Sequence, residues 1–261
     1  MRFGDKPIKS TYYISKADFV ACHNPSYVTK YDIVDDLKEG GSFLLNCPWS
    51  GEELEEKLPA KMKRIIAASS NAHKIKEIQA IMSKFGMEVV SRKDAGVPEF
   101  EIVEDGETFE ENSLKKASEI MKACGEITVA DDSGLMVDYL GGAPGVYSAR
   151  FAGEECDDDK NNKKLIKLLE GLSQEDRKAQ FVSVITLVYP NGDTLVARGE
   201  CPGRIIEVET GENGFGYDPL FVPDGLDKTF AQLTEEEKNE ISHRAKALEK
   251  LEKLLMERED A

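Results

Sequence analysis

No apolar run in this 261-residue chain approaches the roughly 20 residues that span a bilayer, and the first residues lack the order of a secretory signal. A membrane-spanning helix is not expected on that ground, and a cytoplasmic protein is. Cys-x-x-Cys pairs are missing too. The cysteines, Cys22, Cys47, Cys124, Cys156 and Cys201, are odd in number and scattered, which fits reduced thiols and neither a disulfide frame nor a zinc site. Positive charge is scarce: 34 Lys and Arg stand against 50 Asp and Glu, a net charge of −16. That field repels polynucleotides and anionic membranes, so neither is expected as a partner. A small anion stays open as a substrate, provided that local Lys, Arg and a divalent metal reverse the sign inside a pocket. The glycine-rich word GGAPGVYSAR at 141–150 lacks the Gly-Lys-Ser/Thr ending of a phosphate-binding P-loop, and reads as a close-packing segment.

What is present is an ordinary globular composition, 40% hydrophobic and 32% charged. The organising stretch is 126–135, an apolar, β-branched run that reaches Asp131, Asp132, Ser133 and Gly134. It reads as a strand delivering acids to a tight turn at its carboxyl end, where open α/β sheets keep their sites. Adjacent side chains on a strand point to opposite faces, so the two aspartates cannot share one role. Taken alone, the pair also suits a solvated turn.

Residues 1–61 and 62–261 read as two pieces. In the first, 16–22 and 41–47 are expected strands, with a short amphipathic helix over 31–37 between them. The second opens with a buried-type strand at 63–68 and a polar loop, Ser69, Ser70 and Asn71. A helix follows, with apolar positions Ile75, Ile78, Met82 and Phe85. Its first turn carries His73, Lys74 and Lys76 against the helix dipole, an arrangement that makes sense around an anion and equally suits side chains splayed into solvent.

Thr108 and Glu111 form a capping box for a helix that Gly125 stops near Cys124. Lys115 and Lys116 lie on it, and nothing local distinguishes them. A further amphipathic helix is expected over 157–172. Strands at 179–189 and 194–201 are joined by a hairpin signal at 190–193, with a third strand expected over 204–209. The loop 211–219 combines glycines, aromatics and one acid. Thr234 and Glu237 form a second capping box, ahead of Lys238, Ser242, His243 and Arg244. The stripe Leu248, Leu251 and Leu255 belongs to a last helix.

In this order the words SSNAHK at 69–74, ADDSGL at 130–135, GGAPGVYSAR at 141–150, GFGYDP at 214–219 and EKNEISHR at 237–244 resemble the inosine triphosphatase family. Its members are pyrophosphatases of noncanonical purine nucleoside triphosphates. The resemblance covers residues 62–255. It implies that Ser69, Ser70, Asn71 and Lys74 hold the triphosphate, with Ser70 standing where glycine is usual. By the same resemblance, Glu104 and Asp132 bind Mg²⁺ or Mn²⁺, Asp132 is also the general base, Lys116 is a catalytic phosphate lysine and Ser133 touches substrate. Phe215, Gly216, Tyr217, Asp218, Lys238, His243 and Arg244 then receive the base.

The implied fold is α/β, a long twisted mixed sheet with flanking helices in two lobes around a nucleotide cleft, in a homodimer. The implied reaction converts dITP, ITP or XTP to the monophosphate and pyrophosphate. The words STYYISKADFVACHNPS at 10–26 and LLNCPWS at 44–50 resemble an internal piece of the gamma region of pyruvate:ferredoxin oxidoreductases. That piece is expected to be an inert appendage, since the cofactor-binding runs of those enzymes are missing. Two other classes stay open: a Maf-like pyrophosphatase of other nucleotides, against which the Ser-His-Arg word at 242–244 argues, and a non-catalytic remnant of a 2-oxoacid oxidoreductase.

Overall fold

The structure, a computed structural model, describes residues 17–22, 37–45, 63–69 and 72–259. The chain divides into two compact units, Met1–Lys63 and Arg64–Ala261. In the first, strand β1 (Ala17–Cys22) pairs in parallel with β2 (Leu37–Leu45), with a register shift between Ala17 and Phe19. The helix expected over 31–37 lies outside the described residues except for Leu37, which begins β2.

The second unit is built on β3 (Lys63–Ala67), β4 (Met87–Ser91), β5 (Ile127–Val137), β6 (Lys178–Val188), β7 (Thr194–Ile205) and β8 (Phe221–Pro223). They form a six-stranded sheet in the order β4-β3-β5-β6-β7-β8. β3 and β5 are parallel, whereas β5 to β8 are successively antiparallel, so the sheet is mixed. Eight of the eleven residues of β5 and nine of the eleven of β6 are buried. Strands apolar on both faces need cover on both, and helices supply it.

Helix α1 (Ala72–Met82) follows β3, and α2 (Phe109–Cys124) precedes β5. Helix α3 (Asp158–Leu168), the short α4 (Glu235–Ile241) and α5 (His243–Glu259) complete the unit. The alternation along β6 sorts its side chains between two helices. Val182 and Val184 pack with Phe109 of α2, and Thr186 Oγ1 lies 2.7 Å from Ser113 Oγ of the same helix. Ile185 and Leu187 face the other way, into a core with Ile65, Ile78 and Met82, closed by Leu251 and Leu255 of the α5 stripe. A second core gathers Phe181, Phe221 and Phe230, with ring centroids 4.8 to 5.7 Å apart, around Leu135, Leu165 and Leu169. Helix ends follow their local signals. Thr108 Oγ1 accepts from Glu111 N at 3.1 Å, and Gly125 closes α2 with its N–H on the Met121 carbonyl. Thr234 and Glu237 form the same box at α4.

Two expectations about strands are corrected. The strand at 126–130 does not end in a turn at the acids: β5 runs on through Asp131, Asp132, Ser133 and Gly134, in register with β6 from Thr128↔Val188 to Val137↔Ala179. Gly134 permits a close approach, because a Cβ there would collide with Ser148 Oγ and the Gly145 carbonyl oxygen. The 204–209 stretch is not a separate strand either. β7 continues through Cys201, Pro202 and Gly203 to Ile205, and its outer neighbour is β8. Pro202 sits just beyond the β8 register, where it offers only its carbonyl, to Asp224 N at 3.0 Å.

Alanine would normally suit a strand interior better than glycine. We expect Gly134→Ala instead to lower the unfolding free energy by about 1 to 3 kcal/mol, because the 145–148 backbone has to move to admit the methyl group. Urea unfolding of the two proteins measures this, and an equal or higher midpoint for the variant would contradict the packing argument.

Candidate active site

Lys74 stands in the first turn of α1, which contains no acidic residue. Its Nζ lies 2.6 Å from Asp131 Oδ2. The cation placed against the helix dipole is thus answered by a carboxylate from β5, while Lys76 is exposed. Ser69 follows β3, just after Ala68, whose N–H donates to Val129 O at 2.8 Å. Ser70, Asn71 and the side chain of His73 lie outside the described residues.

The two aspartates of β5 go to opposite faces of the sheet, and they meet different cations. On the α5 face, Asp131 has a fully buried side chain. It accepts from Lys74, from Ser183 Oγ at 2.7 Å and from Arg244 Nε at 3.3 Å. Burial works against its ionisation, but the charges of Lys74 and Arg244 and the donors of Lys74 and Ser183 win and hold the carboxyl far below the usual range. Arg244 Nη1 also reaches Glu77 Oε2 at 3.4 Å.

On the α2 face, Asp132 Oδ1 accepts from Lys116 Nζ at 2.7 Å. The same ammonium donates to Glu104 Oε2 at 3.2 Å and to the Asp131 carbonyl at 3.1 Å. Burial raises the Asp132 pKa despite Lys116, and the negative charges of Glu104 and Asp131 add to the rise. Asp132 Oδ2 is buried with no hydrogen-bond partner. Lys115, by contrast, pairs with Asp105 at the surface. Among the described residues no group of three or more His, Cys, Asp or Glu is placed to hold a metal ion. Two carboxylates converging on one cation, with one buried oxygen unpartnered, do fit a hard ion such as Mg²⁺, which takes one or two carboxylates and completes its shell with water and phosphate oxygens.

A cavity of about 820 Å³ opens on the α5 face, a volume within the usual range for small-molecule and cofactor sites. Lys74, Ser133, the loop 213–218, Lys238, His243 and Arg244 line it, together with Glu77, Ser148, Asp158 and Phe181. Of the described residues singled out from sequence, Ser69, Glu104, Lys116 and Asp132 are not in its wall; Asp132 is one residue along β5 from Ser133, which is. Phe215 is 58% exposed, with Lys238 Nζ 5.1 Å from its ring centre. Tyr217 is buried and its hydroxyl donates to Ser148 O at 2.8 Å. Asp218 Oδ2 closes the loop by accepting from Phe215 N at 2.9 Å and Lys238 Nζ at 2.5 Å.

His243 is stacked on Phe181 with centroids 4.9 Å apart, and its Nδ1 is buried without a partner. Burial first, then the positive charge of Arg244, pushes its pKa well below the ordinary 6.5, so the ring is neutral. Sequence reasoning missed Asp131 as an anchor for two cations, and it missed Glu77, Asp158, Asn161, Asn162 and Ser183. Two adjacent asparagines inside a helix were the one local hint, since asparagine favours caps and turns over helix interiors.

Fold and cavity together define a nucleotide-sized site in an α/β protein, with cations on both faces of one strand. The chain belongs to the Ham1 family, whose profile matches residues 65–254. It is 53% identical over 196 residues to a protein of Clostridium perfringens named dITP/XTP pyrophosphatase, covering 73% of this chain and 96% of that one. A Bacillus subtilis protein of the same name is 48% identical over 194 residues, with 74% and 98% covered. The solved Ham1 protein of Staphylococcus aureus superposes with a TM-score of 0.70 at 43% identity, over 75% of this chain and all of that one. The family described as pyruvate ferredoxin/flavodoxin oxidoreductase matches residues 1–93, so the two matches share 65–93.

The neutral His243 ties stability to pH. Its folded pKa lies below the ordinary 6.5, so as the pH falls the unfolded chain takes up the proton first. Its contribution is whole above that value and is lost on the way down to the folded pKa. We expect it to lower the unfolding free energy by up to about 1.4 kcal/mol per pH unit in that window, and His243→Asn to flatten the profile. Urea midpoints on either side of the histidine range measure this; parallel profiles for the two proteins would contradict it.

Proposed function

We propose that this chain hydrolyses noncanonical purine nucleoside triphosphates, dITP, ITP and XTP, to the monophosphate and pyrophosphate. The observation that carries the reading is the Glu104, Lys116 and Asp132 cluster, one residue along β5 from Ser133 in the wall of a cavity ringed by Lys74, Lys238, His243 and Arg244. The activity named for relatives about half identical over nearly their whole length agrees with it.

In this reading Ser69, Ser70, Asn71 and Lys74 hold the phosphates, and Ser133 contacts the substrate from the cavity wall. Glu104 and Asp132 would hold Mg²⁺ or Mn²⁺, which would neutralise charge on the phosphate oxygens. Asp132 accepts the proton of the water that attacks the α-phosphorus, with Lys116 fixing its Oδ1 and leaving Oδ2 available. Lys74 and Lys116 offset the charge on departing pyrophosphate.

Phe215 gives the base a face to stack on, and Gly216, Tyr217, Asp218 and Lys238 complete the pocket. The donors of neutral His243 and of Arg244 suit a 6-oxo purine and leave a 6-amino group unpaired. Sites built on such donors reject the wrong analogue by on the order of 10⁴. The reading places residues 62–261 in the enzyme, acting as a cytoplasmic homodimer, with 1–61 as an inert appendage.

Pyrophosphate release from dITP and dATP tests it, on the full chain and on residues 62–261. We expect dITP to be strongly preferred by both proteins and EDTA to abolish turnover. Arg244→Ala should erode the preference for dITP, while Lys74→Ala should raise KM for every nucleotide alike, by about tenfold or more. Equal hydrolysis of dATP, or uniform losses in both variants, would contradict the assignment.

A further inference from the structure

Helix α3, whose Asp158 lines the cavity, has no role in the reading above, yet it makes four hydrogen bonds to the walls of the cavity or to their flanks. Asp158 Oδ2, in its first turn, accepts from Gly216 N at 2.9 Å. One turn on, Asn162 Nδ2 donates to Gly216 O at 3.1 Å. Both polar groups of a single residue, next to Phe215, are therefore held by two side chains at i and i+4 of one helix. Gly216 has φ of 60°, which glycine adopts freely and a residue with a side chain does not, so its conformational freedom is what the two side chains restrict.

The neighbouring Asn161 reaches a second segment of the wall. Its Nδ2 donates to Ala149 O at 2.8 Å and its Oδ1 accepts from Ala152 N at 2.6 Å. Ala149 and Ser148 line the same cavity as the 213–218 loop, and Tyr217 of that loop donates to Ser148 O at 2.8 Å. Asn161 and Asn162 are each only 2% exposed. Buried asparagines in a helix interior carry a propensity cost and a desolvation cost, which a purely structural helix would avoid with apolar residues. Asn162 even leaves its Oδ1 buried without a partner while its amide faces Gly216. Below this turn, Leu165 and Leu169 fix the helix in the aromatic core.

We propose that Asp158, Asn161 and Asn162 are positioning residues: α3 is a bracket that ties two segments of the base pocket's wall together, setting how tightly and how selectively the purine is held. This rests on the reading of the 213–218 loop as the platform for the base. Lys74 and Lys116, at the phosphate end, stand on α1 and α2 and not on α3, so the bracket governs base affinity and not turnover of bound substrate.

Steady-state hydrolysis of dITP and dATP by the full chain, with inorganic tripolyphosphate as a competitor that has no base, tests the proposal. Asp158 is exposed, so Asp158→Ala keeps the fold. It should raise KM for dITP about fivefold to tenfold, with kcat changed less than about twofold and tripolyphosphate inhibition unchanged. Asn162→Leu should act the same way, and Asp158→Asn, which still accepts from Gly216, should recover most of the loss. Unchanged KM in both disruptive variants, or KM and the tripolyphosphate constant rising together, would overturn the bracket. A wild-type chain that binds tripolyphosphate but hydrolyses no purine triphosphate would overturn the reading of the site, and the bracket with it.

Discussion

The period of two along a β-strand is the constraint on which this site rests. Asp131 and Asp132 are neighbours in the chain, and β5 sends one carboxylate to each face of the sheet. Each then needs its own cation, because an ionised carboxylate buried alone is far too costly. Helices on opposite faces provide them: Lys74 from α1 and Arg244 from α5 for Asp131, Lys116 from α2 for Asp132. Two charged clusters arise a strand's width apart. One is fixed and fully compensated; the other keeps an oxygen without a partner.

This division reconciles an acidic chain with an anionic substrate. The net charge of −16 is spread over the surface, while the cavity wall collects Lys74, Lys238 and Arg244. Each of these cations is held in place by a carboxylate already in the protein: Asp131 for Lys74 and Arg244, Asp218 for Lys238. The donors are therefore oriented before any ligand arrives, which spares binding the cost of ordering long side chains. The same logic extends to the base loop, whose backbone is fastened by Asp218 from within and by Asp158 and Asn162 from α3.

Much of the fold was legible because its signals are local. The capping boxes at Thr108 and Thr234, the hairpin at 190–193 and the Leu248, Leu251 and Leu255 stripe depend on residues a few positions apart, and each lies where its spacing put it. What could not be read is what depends on distant partners. Arg244 meets Asp131 across 113 positions, and nothing near Lys116 marks it off from Lys115. Gly134 looked like a turn residue because its reason, the approach of Ser148, is non-local. Pro202 and Gly203 looked like a break because sequence does not show that β8 stops beside them. Individual site roles came from the resemblance of ordered words, not from periodicity.

The unfolding free energy and the turnover of Asp131→Asn and Asp132→Asn, measured side by side, test the division of labour most directly. Asp131, fully buried, compensates the buried Arg244 and the half-buried Lys74, so its loss should cost about 3 to 5 kcal/mol of stability. Burial raises the Asp132 pKa despite Lys116, and Lys116 keeps Glu104 as a partner, so a neutral isostere there should change stability by less than about 1 kcal/mol, while turnover of dITP falls by about a thousandfold. Equal stability losses in the two variants, or a folded Asp132→Asn protein with wild-type turnover, would contradict the account.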